Sequence, residues 1–260
     1  MSEDPRSARV LYDGSANAWA RNEPSSVSDF TARPAVIDMC RPLAGVRVLD
    51  LGCGEGYCAR ILKRSGAGEV LGIDVSSAMI EAAVREERRA PLGIQYERGD
   101  AERLASIADR SFDTVLAMFL FNYLTSDSMA ICMKEIARVL RPAGRFVFAV
   151  PHPSLAFMRE PAPPFFFEVP SRDYFETRNL RFAGKIWKRD GTALEVQLVH
   201  KTLEDYFSAL RGAGFGGLPI VRELHVTPEI LAVDPAFFSP LVGAPLHLAL
   251  AAELGASAAR

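Results

Sequence analysis

The stretch Val46-Arg-Val-Leu-Asp50-Leu-Gly52-Cys-Gly54-Glu-Gly56 decides how the rest of the chain is interpreted. Its first half is a short apolar run, which predicts a strand, and its second half has glycine at three alternate positions. A helical pattern follows directly, over about residues 57–65. A glycine-rich turn between a strand and a helix lets the backbone approach a ligand closely and offers it unpaired N–H groups. The stretch therefore predicts a ligand-binding loop in an α/β protein.

Strands and helices alternate outward from this loop. Strands are predicted at 46–51, 69–74, 94–97, 112–119, 145–150, 218–226 and 245–252. Helices are predicted at about 34–41, 57–65, 77–90, 127–140 and 202–212, with Ser76 or Ser77 as the cap of the third. This alternation is typical of a parallel sheet with helices on both faces. The predicted fold class is α/β, a Rossmann-like, doubly wound sheet of seven mostly parallel strands.

The composition divides the chain into four segments. Residues 1–45 are predicted to form an N-terminal helical lid and residues 46–150 the ligand-binding core. Residues 151–170 hold six of the seventeen prolines, which excludes helix interiors and central strands there. Residues 151–198 are therefore predicted to be an insertion that covers one edge of the sheet, with a hairpin around Asp190-Gly191. Residues 199–260 complete the same domain.

Composition and charge exclude several classes of protein. With 49% hydrophobic and 24% charged residues, the 260-residue chain can bury a core, and its net charge of −2 offers no general attraction to nucleic acid. The four cysteines are too scattered for a disulfide framework, and the longest apolar run, 114–124, is too short for a membrane span. No signal-peptide pattern is present. We expect a cytoplasmic protein, monomeric or homodimeric, that binds neither nucleic acid nor membrane.

The spacing of the glycines separates the possible ligands. A dinucleotide loop, G-x-G-x-x-G, would need glycine at position 57, which is tyrosine, and no Gly-Lys-Ser/Thr of a P-loop is present. The run D-x-G-x-G-x-G formed by Asp50, Gly52, Gly54 and Gly56 resembles the loop of the class I S-adenosylmethionine-dependent methyltransferases. The resemblance is strong over about 45–150 and extends to 200–252.

The resemblance implies a cofactor, S-adenosylmethionine, with S-adenosylhomocysteine as product, and a set of binding residues. Asp74, at the end of the second strand, matches the family's acid for the ribose hydroxyls, and Asp100 matches the acid near the adenine amino group. The neighbouring residues expected to complete the cofactor site are Cys53, Val75, Met79, Ala101 and Met118.

The methyl acceptor is expected to be a small molecule, possessing an oxygen, nitrogen or carbon nucleophile and belonging to specialised metabolism. The Asn/Asp-Pro-Pro-Tyr run of amino-methylating DNA enzymes is absent after the fourth strand, where residues 117–123 also lack the acid that holds magnesium in catechol-type members. No metal is therefore expected. A protein or RNA methyltransferase, or a non-catalytic protein that binds S-adenosylmethionine, remains an alternative.

Six residues are candidates for binding this acceptor: Tyr12, Trp19, Asn122, Tyr123, Arg178 and Arg181. The first two resemble a lid helix of small-molecule methyltransferases. The arginines belong to a basic cluster between residues 172 and 189, within the insertion at 151–198 that the resemblance places at the acceptor pocket. That cluster indicates either an anionic acceptor or a solvated hairpin face. The triple Phe165-Phe166-Phe167 is expected in the core or a dimer contact rather than against the acceptor.

Two histidines are candidates for the base that removes a proton from the acceptor. His152 follows the fifth strand, at the edge where α/β sheets bind ligands, and is the preferred candidate. His200 precedes the helix at 202–212, in a segment that resembles one common in small-molecule methyltransferases.

Overall fold

A computed structural model of the chain describes residues 8–255. The strands are β1 (Arg47–Leu51), β2 (Glu69–Asp74), β3 (Gln95–Arg98), β4 (Phe112–Met118), β5 (Leu140–Pro151), β6 (Phe165–Glu168), β7 (Arg181–Trp187), β8 (Ala193–Val199), β9 (Ile220–Leu224) and β10 (His247–Glu253). The helices are α1 (Ala8–Asp13), α2 (Ala16–Trp19), α3 (Val27–Thr31), α4 (Arg33–Met39), α5 (Tyr57–Arg64), α6 (Ser77–Arg89), α7 (Ser126–Val139), α8 (Leu155–Met158), α9 (Leu203–Gly212), α10 (Pro228–Val233) and α11 (Pro235–Phe238). Two 3₁₀ helices span Phe121–Tyr123 and Ser239–Leu241.

The main sheet has seven strands in the order β3-β2-β1-β4-β5-β10-β9. β1 to β5 are parallel, whereas β10 is antiparallel to both β5 and β9. This order confirms the predicted α/β, mostly parallel Rossmann-like sheet. Ser76, one of the two predicted caps, accepts a hydrogen bond from the Met79 N–H at 3.2 Å and starts α6. The predicted strand and helix positions therefore agree closely with the fold.

Both faces of the central strands are buried, and each face has its own core. Successive side chains of a strand point to opposite faces. Leu49 and Phe148 consequently pack with α7 and α9 on one face, whereas Val48 and Val147 pack with α4 and α5 on the other. The helix predicted at 34–41, which is α4, is thus a layer of the core, and α1 to α3 lie at the ligand-bearing edge.

The insertion forms a second, three-stranded antiparallel sheet in the order β6-β7-β8. Its hairpin turn contains Asp190 and Gly191, as predicted, and its apolar side packs with α11 and the 3₁₀ helix Ser239–Leu241. The Asn122 Nδ2 group, just beyond β4, donates a hydrogen bond of 3.2 Å to the Gln197 carbonyl in β8. The small sheet therefore lies as a roof over the carboxyl ends of the main strands, which form the ligand-bearing edge of the sheet. Within residues 8–255, no helix combines the length and apolar character that a membrane crossing requires.

Candidate functional site

A cavity of about 940 Å³ lies between the carboxyl ends of the parallel strands, the helices α1 to α3 and the roof sheet. Carboxyl ends of β1, β2 and β4 contribute residues to its floor, which is where open α/β sheets bind their ligands. The predicted site residues that line this cavity are Tyr12, Trp19, Asp50, Gly52, Cys53, Gly54, Asp74, Val75, Met79, Asp100, Ala101, Met118, Asn122, Tyr123 and Arg181. Folding thus brings most of the predicted site together.

The glycine loop forms one wall of the cavity. Gly54 has a φ of +55° and a Cβ placed on it would meet nothing within 4 Å, so the backbone is open to a ligand there. Gly56 does not line the cavity. It caps α5 with a φ of +81°, and a Cβ would collide with the Tyr96 ring. The backbone conformation at position 56 and the packing against Tyr96 therefore explain why this residue is glycine.

Asp74 and Asp100 lie in the cavity as acceptors of backbone hydrogen bonds. The two carboxylate oxygens of Asp74 accept from the Gly54 and Ser76 N–H groups, each at 2.9 Å. Asp100 accepts from the Glu102 N–H at 2.9 Å. Burial raises the pKa of Asp74. Because a carboxylate has about four acceptor positions, both side chains retain acceptor capacity for the hydroxyl or amino groups of a nucleoside.

Asp50 and Arg33 give the cavity an end suited to a zwitterion. Asp50 is fully buried, and neither carboxylate oxygen has a hydrogen-bond partner within residues 8–255. Burial, with the nearby Asp74 charge, raises the pKa of Asp50 to about 7. The Arg33 guanidinium pairs with Asp29 at 2.8 Å, but its buried Nε has no such partner. The orphaned carboxylate and N–H fit the α-ammonium and α-carboxylate of an amino acid.

Aromatic and apolar side chains line another part of the cavity, which begins at Phe119 beside the Arg33 guanidinium. Trp19 and Phe119 lie there with the roof residues Phe165, Phe167, Ile186 and Val196. Phe165 and Phe167 are buried in the roof core, as expected, yet they also line the cavity. The hydroxyls of Tyr12 and Tyr123 hydrogen-bond to each other and join α1 to the segment after β4.

The two candidate arginines have different surroundings. Arg178 is half-exposed, forms an ion pair with Asp205, and does not line the cavity. Arg181 lines the cavity and donates a hydrogen bond of 2.8 Å to the neutral Gln197 Oε1. No ion pair joins Arg181 to a carboxylate of the described chain, residues 8–255. Arg181 therefore presents a cation without an internal counter-ion.

Neither candidate histidine lines the cavity. His152 Nε2 lies 2.9 Å from Glu223 Oε1 in the edge strand, and its Nδ1 accepts from the Ser154 N–H at 3.2 Å. His200 is packed against the rings of Phe157, Tyr174 and Phe182, and burial lowers its pKa. In the described part of the chain, His247 is the only histidine that lines the cavity.

The sequence analysis did not identify His247 or Arg33 as site residues. His247 is the first residue of β10, which is antiparallel and pairs it with Pro151 at the end of β5. The start of an antiparallel strand lies at the same edge of the sheet as the ends of its parallel neighbours. Knowledge of the strand order would therefore have placed His247 at the ligand-bearing edge. Arg33 lies in α4, where no motif marked it. No group of three or more His, Cys, Asp or Glu side chains in residues 8–255 is arranged to hold a metal ion.

Comparison with known proteins shows which family the core of the chain matches. Residues 48–144 match the family described as a methyltransferase domain. The chain is 33% identical to a ubiquinone biosynthesis O-methyltransferase of Ralstonia nicotianae, over 45% of this chain and 48% of that protein. It is also 33% identical to a demethylmenaquinone methyltransferase of Tropheryma whipplei, over 54% of this chain and 56% of that protein. The chain thus spans about half the length of these curated relatives.

Solved structures share the fold over most of the chain. An S-adenosylmethionine-dependent methyltransferase from Mesorhizobium loti has a TM-score of 0.62 and 25% identity, over 85% of this chain and 96% of that one. The cyclase SpnF has a TM-score of 0.63 over 98% of both chains, but at 19% identity this likeness shows the fold alone. Together, these findings show that residues 48–144 form a methyltransferase domain, within a fold shared with a class I S-adenosylmethionine-dependent methyltransferase. The family and the fold imply S-adenosylmethionine as methyl donor.

Proposed function

We propose that this chain transfers a methyl group from S-adenosylmethionine to an oxygen, nitrogen or carbon atom of a small acceptor. The observation that carries the proposal is a single cavity with two chemically distinct parts. One part offers carboxylates and an open glycine loop, and the other offers aromatic walls beneath a roof. The sulfonium, when bound, supplies an electrophilic methyl carbon. The chain's own residues then have to bind the methyl donor and the acceptor, orient them towards each other, and exclude water from the cavity.

The polar part supports a specific assignment of residues to the methyl donor. Asp74 would bind the ribose hydroxyls and Asp100 would lie near the adenine amino group. Asp50 would accept from the α-ammonium, and Arg33 would donate to the α-carboxylate. Gly54 would allow the backbone to approach the ligand, because no atom of the described chain beyond Gly54 and its two neighbours lies within 4 Å of a Cβ at that position.

The roofed part supports a small acceptor rather than a macromolecule. Phe165 and Phe167 of the roof, together with Trp19 of the lid, narrow the space above the floor. The relatives named for ubiquinone biosynthesis and for demethylmenaquinone also indicate small acceptors. We also propose, from the sequence, that the acceptor belongs to specialised metabolism.

Arg181 supports an acceptor that carries an anionic group. Of the six basic residues between 172 and 189, Arg181 is the one that lines the cavity. Its hydrogen-bond partner Gln197 is neutral, and its electrostatic neighbour Lys201 carries positive charge when protonated, so neither neutralises the guanidinium. A carboxylate or phosphate would supply the counter-charge that the described protein does not.

The test is release of S-adenosylhomocysteine from S-adenosylmethionine in the presence of acidic and neutral phenols. We expect transfer to para-hydroxyphenylacetate to exceed transfer to its methyl ester, and Arg181→Gln to remove the preference. Arg172→Gln is the matched control, since Arg172 pairs with exposed Glu160 outside the cavity. Binding of S-adenosylhomocysteine without transfer to any small acceptor, these phenols and a fractionated metabolite pool included, would favour a non-catalytic role.

A further inference from the structure

His247 is a buried side chain of the cavity that the assignments above leave without a role. It is 2% exposed and begins β10 at the carboxyl end of β5. Its ring stacks on Phe165 at 5.6 Å between centroids and lies 5.1 Å from the Phe119 ring. Both neighbours also line the cavity, so His247 belongs to the aromatic part in which the acceptor is proposed to bind.

The hydrogen bonds around Thr31 determine which nitrogen of His247 carries the proton. The Thr31 hydroxyl donates to the Val27 carbonyl at 2.9 Å, and this uses its only proton. The same oxygen lies 3.2 Å from His247 Nδ1, so in that contact Nδ1 must be the donor. In the neutral ring the lone pair is then on Nε2, for which the described chain supplies no hydrogen-bond partner.

The electrostatic surroundings keep the ring neutral. Burial, the Arg33 guanidinium and His152 lower the pKa of His247 to about 3. At neutral pH the Nε2 lone pair is therefore available as a hydrogen-bond acceptor. Phe119 and Phe165, which flank the ring, offer no competing polar group.

We propose that His247 Nε2 receives the proton of a hydroxyl acceptor during methyl transfer, and that Thr31 is the residue that positions it. The proposal rests on the proposed function. The N–H bond forms as the acceptor O–H bond breaks and leaves its electron pair on oxygen. That oxygen has given another pair to the methyl carbon, whose bond to sulfur breaks with its pair going to sulfur.

A weakly basic imidazole suits this step. As the oxygen forms its bond to carbon it acquires positive charge, so its proton becomes far more acidic than that of the free hydroxyl. The proton transfer is therefore favourable late in the reaction, even to a weak base. Before reaction, the hydrogen bond to Nε2 orients an oxygen lone pair towards the methyl carbon.

The first test is nitrogen NMR of histidine-labelled protein saturated with S-adenosylhomocysteine, and it needs no turnover. We expect the His247 proton on Nδ1 in the wild type and in Thr31→Ser, and a mixture of tautomers in Thr31→Val. Para-hydroxyphenylacetate should shift the Nε2 resonance, whereas para-methoxyphenylacetate, which has no hydroxyl, should not. A wild-type proton on Nε2, or equal shifts with both ligands, would overturn the proposal.

The second test is kinetic. We expect His247→Gln to lower kcat by about 10²–10⁴-fold, the usual cost of losing a positioned base, without changing the affinity for S-adenosylhomocysteine. Thr31→Val should give a smaller loss that Thr31→Ser restores. His225→Gln, at an exposed position outside the cavity, is the matched control. If His247→Gln transfers methyl groups at the wild-type rate, His247 is not the base. If the wild type itself shows no transfer, the proposed function is wrong, and the NMR comparison still tests the contact between His247 Nε2 and the hydroxyl.

Discussion

Asp50 has both carboxylate oxygens buried and unpaired within residues 8–255, and burial beside Asp74 raises its pKa to about 7. In the free protein, the Asp50 carboxyl group is consequently protonated in about half of the molecules near pH 7. An α-ammonium bound beside it would favour the carboxylate and lower this pKa. We predict that binding of S-adenosylhomocysteine releases a proton near pH 7, and that the affinity falls as the pH drops below 7.

Calorimetric titration in buffers of different ionisation enthalpy measures that proton directly. Asp50→Asn should abolish the release and weaken binding by about 1.5–3 kcal/mol, the usual contribution of a hydrogen bond to a charged group. Identical proton release by the wild type and Asp50→Asn would show that another group is responsible.

Gly54 provides a prediction about steric access. Its φ of +55° strains any side chain, by about 1–2 kcal/mol, and a valine there would also occupy the cavity. We expect Gly54→Val to lose S-adenosylhomocysteine binding by more than about 100-fold. Gly243→Val is the control for strain, since Gly243 has a φ of +80° and no atom within 4 Å of a Cβ, but lies outside the cavity. If both variants bind equally well, the loop does not contact the ligand.

At the scale of elements, polar contacts attach the C-terminal end of α1 to the core. Asp13 accepts hydrogen bonds from the Ser76 hydroxyl at 2.6 Å and the Ala78 N–H at 3.3 Å, at the N-terminus of α6. The Tyr12 hydroxyl of the same helix hydrogen-bonds to the Tyr123 hydroxyl, and both residues line the cavity. We predict that Asp13→Ala accelerates hydrogen exchange over residues 8–19 and speeds dissociation of S-adenosylhomocysteine about threefold to tenfold.

Hydrogen-exchange mass spectrometry and stopped-flow dissociation provide the two measurements. Asp38→Ala is a suitable control, because Asp38 is an exposed acid of α4 that pairs with Arg41 away from the cavity. An unchanged dissociation rate in Asp13→Ala would mean that α1 does not retain the ligand.

At the scale of the whole molecule, Lys201 joins the roof to the core. It is 1% exposed and its ammonium donates to the carbonyls of Leu124, beyond β4, and Val199, at the end of β8. Burial lowers its pKa to about 7, against an ordinary value of 10.5, although Asp205 opposes the shift. Between these pH values the unfolded chain binds more protons than the folded one, so the free energy of unfolding must rise with pH.

We predict that the wild type gains about 1 kcal/mol of unfolding free energy per pH unit from pH 7 to 8.5, relative to Lys201→Met. Urea titrations at several pH values measure this difference, and the comparison with the variant cancels contributions of other groups. Parallel pH profiles for the two proteins would show that the amine titrates normally.

The sequence by itself determined the sheet, the glycine loop and the family, because these depend on signals that are local in the chain. Alternating apolar runs predicted β1 to β5, and three glycines after β1 predicted the ligand loop at Gly52 and Gly54. The prolines after residue 150 correctly marked where the regular alternation ends.

Only the tertiary structure decided which side chains meet inside the cavity. The sequence predicted site roles for His152, which follows β5, and for Arg178, which belongs to the basic cluster. In the folded chain their side chains contact Glu223 and Asp205 and lie outside the cavity. His247 is 216 residues from Thr31 in the chain, and the antiparallel direction of β10 brings it to the ligand-bearing edge. Such contacts depend on strand order and on the burial of each face, and these are properties of the whole fold that no local pattern encodes.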